Sequence, residues 1–345
     1  RSNLSHDHKV LIKEIFFGKE YLDEISFYRK LGYNRFQIPQ TQFIDLDFKK
    51  ISLDGLKGVE THYNIIFNQK QTVNKFFLEN IDNGLLIASA NGEFKFSTDY
   101  SFNNFEKINS NLNELNIFEL VDISKIENQI YVSFVIKKDN EDCVYLGIAN
   151  AEMDKKNLLF KFFFKENECT YETNGLGGRI YPYTFQEKKG FLITTAATGE
   201  MKKKAQDPNS FFGKIWFFDL ATKEKFLFST GHRNPQGLIV FENDIISTEH
   251  GPYGGDEINK IEFGKNYGYP VSSYGEFYSF KKDKEKLKKP IYKLLKSHKD
   301  NDFKEPIYSF VPSIGISEIE KISNNFPEYW IDNFLVTSLN GRTIF

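Results

Sequence analysis

Two cysteines, Cys143 and Cys169, are all that 345 residues provide. They can close one disulfide, but they cannot make the cross-linked framework on which small secreted scaffolds rely. Long apolar runs are missing too: none approaches the roughly 20 residues that span a bilayer as a helix. Neither sign of charge dominates, with 45 Lys and Arg against 47 Asp and Glu, a formal net charge of −2 and a pI near 6.4. That balance gives no electrostatic pull toward nucleic acid or an anionic membrane. The lysine-rich stretches at 202–204 and 281–289 read as solvated loops rather than binding patches.

Signatures of several chemistries are absent as well. No Walker A loop occurs, and no Gly-x-Gly-x-x-Gly follows a strand pattern; Gly175-Leu176-Gly177-Gly178 precedes a strand, not a helix. There is no Gly-x-Ser-x-Gly elbow, and no His-x-x-x-His or Cys-x-x-Cys spacing. His62 and His298 stand in polar surroundings and read as solvent-facing. The first residue is arginine, which leaves open a removed leader or a sequence that starts inside a longer one.

Aromatic residues are plentiful, with 36 Phe and 18 Tyr. They fit half-buried strands, although the joint excess of Lys, Asn, Ile and Phe also has the look of an AT-rich genome. From about residue 60 the chain is a series of short apolar runs divided by Asn, Asp and Gly. Leu85–Ala90, Asn91-Gly92 and Glu93–Phe96 predict a hairpin. Gln129–Ile136, Phe191–Thr195, Lys214–Asp219, Leu238–Phe241, Asp244–Thr248 and Phe334–Ser338 predict further strands. Strands at this spacing without alternating long helices exclude a βαβ architecture and leave a sandwich, barrel or propeller. Groups of four strands can be drawn near 80–112, 118–166, 178–230, 236–296 and 306–345, with a Lys-rich loop or short helix at 280–302. Residues 1–60 read as a separate N-terminal extension, with helix-like spacing from Tyr21 to Leu31 ended by Gly32.

The densest polar text is Gly231-His232-Arg233-Asn234-Pro235-Gln236-Gly237-Leu238, followed by Glu249-His250-Gly251-Pro252, Gly255-Asp256-Glu257-Ile258-Asn259 and Asn266-Tyr267-Gly268-Tyr269-Pro270. It gathers an arginine, amides, two histidines and several carboxylates into turn-forming sequence, which is the composition of a built site. Any one of these residues is ordinary turn chemistry; the ordered set is not. The blocks resemble the soluble glucose/sorbosone dehydrogenase family, the PQQ-dependent aldose sugar dehydrogenases. Gly177-Gly178-Arg179-Ile180, Ala205–Ser210 and Gly213-Lys214-Ile215 match further family blocks upstream. The likeness is strong over 176–275, fainter over 80–170 and 306–345, and absent over 1–60.

The resemblance implies an all-β, six-bladed β-propeller over 61–345, behind the N-terminal extension, in an exported, periplasmic protein. PQQ is a planar tricarboxylate quinone that needs cations, hydrogen-bond donors and a Ca²⁺ to polarise it. The resemblance assigns cofactor contacts to Arg233, Asn234 and Gln236. It assigns carbonyl ligation of the cofactor-bound Ca²⁺ to Gly251 and Pro252, and a second, structural Ca²⁺ to Glu257 and the Tyr267 carbonyl. His232 and His250 read as residues that pack and orient the loops.

Three departures stand against full activity. The family's general base, a histidine four residues before the arginine of the Gly-Gly-Arg-Ile block, is replaced by Gly175. Asn340 stands where the sugar-oxidising members turn a lysine to the cofactor. The sequence stops in the fifth strand group, so residues 1–75 supply the sixth blade or the sequence is incomplete. Losing a general base costs a factor of roughly 10² to 10⁴ in rate. The expected function is therefore a catalytically degenerate sugar-dehydrogenase-like propeller, a Ca²⁺-stabilised binding or assembly module with a protein or sugar partner. The alternative is an active PQQ enzyme that oxidises an aldose or other alcohol with a different base.

Overall fold

The computed structural model describes residues 44–46, 63–65 and 76–345, apart from 83, 99–104, 138–142, 171–175, 253, 276–297, 312, 324–329 and 340–342. All of the described residues belong to one unit, residues 43–345. The readings of Val10–Phe17 and of a helix at Tyr21–Leu31 lie outside them, as do Gly175 and Asn340.

The regular structure is strand throughout, with short 3₁₀ turns at Leu112–Leu115, Gly199–Gln206 and Lys299–Asn301 among the described residues. Successive strands pair antiparallel in a simple meander. The first blade runs Phe76–Ile81, Gly84–Ser89, Phe94–Ser97 and Glu106–Ser110, and Asn157–Leu158 adds a parallel strand at its outer edge. The second blade, 117–165, the third, 177–230, and the fourth, 235–310, each have four strands. A three-stranded sheet of Ile316–Lys321, Phe334–Ser338 and Thr343–Ile344 follows, and Ile44–Leu46 pairs with Tyr63–Ile65 in a separate ribbon.

In every blade the first strand is innermost. Phe76–Ile81, Ile117–Ile126, Gly177–Phe185, Pro235–Phe241 and Ile316–Lys321 pack against one another in turn around a common centre. That is a β-propeller arrangement. The expected count of six is not met among the described residues, which hold four blades of four or more strands and one three-stranded sheet. One predicted strand group also moves. Tyr308–Phe310 was grouped with 306–345, but it hydrogen-bonds to Asp256–Ile261 and completes the fourth blade. A long insertion separates it from its partner, so sequence proximity misassigns it.

The predicted hairpin forms, with Ser89 and Glu93 closing the Asn91-Gly92 turn and Gly92 at φ 78°. The aromatic excess goes between the blades. Separate apolar layers fill the spaces from first to second, second to third, third to fourth, and fourth to the last sheet. The layer between second and third is the most aromatic: Tyr131, Phe163, Phe191 and Phe218 lie with ring centroids 5.3–6.1 Å apart. Aromatic contacts of this kind add to the area they bury. Cys143 and Cys169 form a disulfide, with Cα atoms 5.7 Å apart, beside the Val144–Thr170 bridge.

At the centre, Arg179 ties four sheets together. From the third blade its Nη1 reaches Asp122 of the second at 2.7 Å, Nη2 pairs with Glu318 of the last sheet, and Nε donates to the Gln236 carbonyl of the fourth at 3.0 Å. Asp122 also accepts from the Ile180 amide. Gly178 makes the approach feasible: at φ 92°, a Cβ there would lie 2.5 Å from Val121 Cγ1. Carboxylates outnumber the arginine. Burial raises Glu79, whose Oε1 accepts from the Lys125 amide, to about 7, and raises Glu318 to about 7 against the pull of Arg179.

Replacing Arg179 by Met strands a buried Asp122 charge. The expected loss is about 3 kcal/mol, measured by chemical denaturation at neutral pH. The raised Glu79 sets a pH dependence. Its protonated form is stabilised in the folded state, so that stability is present below about pH 4.5 and is lost as pH rises through about 7. Glu79→Gln should therefore melt about 3 °C above the parent at pH 8 and together with it at pH 4.5, read by differential scanning calorimetry.

Candidate functional site

One end of the propeller collects the polar motifs. Gly177 pairs with Thr195, Lys214 with Thr230, and Glu249 with both Pro235 and Glu257. The loops 196–213, 231–234 and 250–255 therefore emerge together, and 265–275 folds over them. Gly231 permits the crossing: its φ is 81°, and a Cβ would lie 2.1 Å from Asn266 Oδ1.

His232 is fully buried. Its Nε2 lies 2.8 Å from Ser229 Oγ, its Nδ1 3.0 Å from Glu249 Oε2, and its ring stacks on Tyr267 at 4.7 Å. The other oxygen of Glu249 accepts the Arg233 amide. His232 thus orients the loop, as read from sequence, and both of its ring nitrogens have partners inside the protein. His298, read as solvent-facing, is instead buried at 2% exposure and stacks on Tyr274. The loop 266–275 folds back over it, which local polarity does not reveal.

Arg233, Gly251, Pro252, Glu257 and Tyr267 line one cavity of about 10 Å³, together with Glu249, His250, Tyr269, Ser272 and Ser273. That volume holds about one water molecule or one ion. Arg233 donates from Nη1 to the His250 carbonyl at 2.8 Å, and its guanidinium lies 6.0 Å from the Tyr269 ring centroid. Asn234 and Gln236 are not among the lining residues. The Gln236 amide donates to Asn234 Oδ1 at 2.8 Å, and the Asn234 carbonyl accepts the His250 amide.

Glu249 and Glu257 are register partners on adjacent strands, and both are buried. Burial, reinforced by the neighbouring Glu249, pushes Glu257 up to about 8. Asn259 lies two residues along on the same strand face and donates to Glu257 Oε2 at 3.3 Å. Its own Oδ1 is buried with no hydrogen-bond partner among the described residues. Paired buried carboxylates beside an unmatched amide oxygen form a donor set suited to a hard cation. Among the described residues, no group of three or more His, Cys, Asp or Glu gathers as a metal centre.

Other residues that shape this end were not assigned roles from sequence. Asp256 accepts from Gly251 N at 3.0 Å, Ser313 Oγ at 3.0 Å and Ile316 N at 2.9 Å, which ties the 250–255 turn to the last sheet. Gln206 exchanges two hydrogen bonds with Asn266 and donates to the Tyr269 carbonyl at 2.7 Å. Both residues fall inside quoted motif blocks, so the signal was present without the roles.

The Glucose / Sorbosone dehydrogenase family model matches residues 119–345. Aldose sugar dehydrogenase YliI of Escherichia coli (strain K12) is 31% identical over 135 residues, 35% of this chain and 35% of that protein. Quinoprotein glucose dehydrogenase B of Acinetobacter calcoaceticus is 49% identical over 126 residues, 36% of this chain and 23% of that protein. The matched segments thus span about a third or less of these curated relatives. Among solved structures, the soluble aldose sugar dehydrogenase of Escherichia coli in its apo form aligns with TM-score 0.59 at 21% identity, covering 77% of this chain and 80% of that one. The PQQ-bound aldose sugar dehydrogenase of Streptomyces coelicolor aligns with TM-score 0.57 at 19% identity, covering 79% and 77%.

Proposed function

Because this chain belongs to the glucose/sorbosone dehydrogenase family, we propose that it is a family propeller whose dehydrogenase chemistry has degenerated and that it acts as a binding or assembly module steadied by Ca²⁺. The observation that carries this reading is the internal engagement of the polar side chains assigned to the cofactor. Arg233 donates to the His250 carbonyl, and Gln236 donates to Asn234. Gly175 at the position of the family's base supports it from sequence, since glycine cannot take a proton.

The donor set at Glu257 fits a cation. Glu257 and the Tyr267 carbonyl, with Asn259 Oδ1 beside them, would hold a structural Ca²⁺. The carbonyls of Gly251 and Pro252 would hold one that bridges to a cofactor. When bound, PQQ supplies hydride acceptance; this chain's part would be to pair an anionic group with Arg233. The Cys143–Cys169 disulfide supports an exported, oxidising location, and among the described residues no helix is long and apolar enough to cross a membrane. The ligand of such a module is a sugar or a protein surface that meets the loop end of the propeller. A six-bladed closure, as in an intact family member, belongs to the same reading. One observation favours an active enzyme instead: His250 lines the same cavity as Arg233, where a substitute base would have to stand.

Two measurements test these readings. The full-length protein, reconstituted with PQQ and Ca²⁺, should show no aldose-dependent dye reduction; turnover that is abolished by His250→Ala would establish the alternative. Chelation by EDTA should lower the melting temperature by several degrees, and Ca²⁺ should restore it, because a ligand held only by the native state stabilises that state. An unchanged melting temperature would remove the structural Ca²⁺ from the proposal.

A further inference from the structure

Lys214 opens the third strand of the third blade, Lys214–Asp219, and is completely buried. Among the described residues no carboxylate forms an ion pair with its ammonium, although Asp207 and Glu168 lie near enough to favour its charge. Nζ instead donates to three backbone carbonyls, those of Lys204 at 2.8 Å, Ala205 at 3.0 Å and Phe212 at 3.0 Å. All three donors of the ammonium are therefore satisfied. The acceptors lie at the two ends of one loop: Lys204 and Ala205 close the 3₁₀ turn Gly199–Gln206, and Phe212 leads back into the strand.

The Ala205 carbonyl is the centre of this cluster. Besides Lys214 it accepts Thr230 Oγ1 at 2.8 Å and the Gly231 amide at 3.1 Å. The neighbouring His232 amide donates to the Gly213 carbonyl. One residue beyond Ala205, Gln206 grips Asn266 and the Tyr269 carbonyl, and Tyr269 is a wall of the Arg233 cavity. Several loop carbonyls converge on one positive charge, which is what a structural metal ion does for loops elsewhere.

We propose that Lys214 is a positioning residue whose ammonium serves as a built-in structural cation, holding loop 199–213 against the Gly231–Arg233 turn and, through Gln206, fixing the Asn266–Tyr269 turn that walls the cavity. None of these bonds involves a cofactor, so the latch operates whether or not dehydrogenase chemistry survives. Its removal takes the one charged donor from three carbonyls at once, and the affected loops open locally before the blades do.

Amide hydrogen exchange on the full chain tests this. Lys214→Met keeps the aliphatic stem and removes the charge. Exchange should rise about tenfold or more in 199–206 and 266–269, while the second-blade strand Gln129–Lys137 keeps its protection. In Lys214→Ala, added propylammonium should restore protection and 1-propanol should not. Loops in Lys214→Met as protected as the parent would overturn the proposal, and so would a rise shared equally by Gln129–Lys137. Equal rescue of the alanine variant by propanol would show that volume, not charge, holds the loops, with the same consequence. If the alanine variant does not fold, the methionine variant decides.

Discussion

The guanidinium of Arg179 is the interaction on which the arrangement depends. A propeller blade touches only its neighbours, through an apolar layer on each face. Those layers fix how far apart the sheets stand, but they are tolerant of sliding because apolar contact has no direction. Arg179 supplies direction. It reaches Asp122, Glu318 and the Gln236 carbonyl from the third blade and so relates the inner strands of four sheets at one point. Planar, forked donors suit an arginine to this position and would not suit a lysine. Burial disfavours charge on Glu79 and Glu318 and pushes both up to about 7, for Glu318 against the pull of Arg179.

The loop end is organised by the same physics on a smaller scale. Glu249, Asp256, Gln206 and Lys214 each satisfy backbone amides or carbonyls that strand pairing leaves over, His232 braces Glu249, and together they freeze the turns around the Arg233 cavity. Buried polar networks of this kind are costly unless complete. Among the described residues, the buried oxygen of Asn259 is one atom left unmatched, and it lies beside Glu257, where a cation would complete the set.

Much of the fold was legible because strand and turn signals are local. The Asn91-Gly92 hairpin, the strand at 129–137 and three of the five strand groups follow from alternation and turn residues within a few positions. Of the site, the sequence showed which residue types were gathered but not what they do. Arg233 lines the cavity, while Gln236 turns to Asn234, and no spacing rule separates these outcomes. His298 reads as exposed because its sequence neighbours are polar, but its burial is decided by Gly268 and Tyr274 folding over it.

Sequence alone determined the all-β class, the succession of short strands, the single available disulfide and the family blocks, since each depends on residues close together or on an ordered pattern of motifs. Tertiary structure decided the rest. Asp122 and Gln236 each stand 57 residues from the arginine that joins them, and Tyr308–Phe310 crosses a long insertion to complete the fourth blade. Lys214, a surface residue by composition, becomes a buried cation only where two ends of a loop bring three carbonyls together. Such partners are chosen by blade stacking and loop closure in space, and hydropathy along the chain carries no record of either.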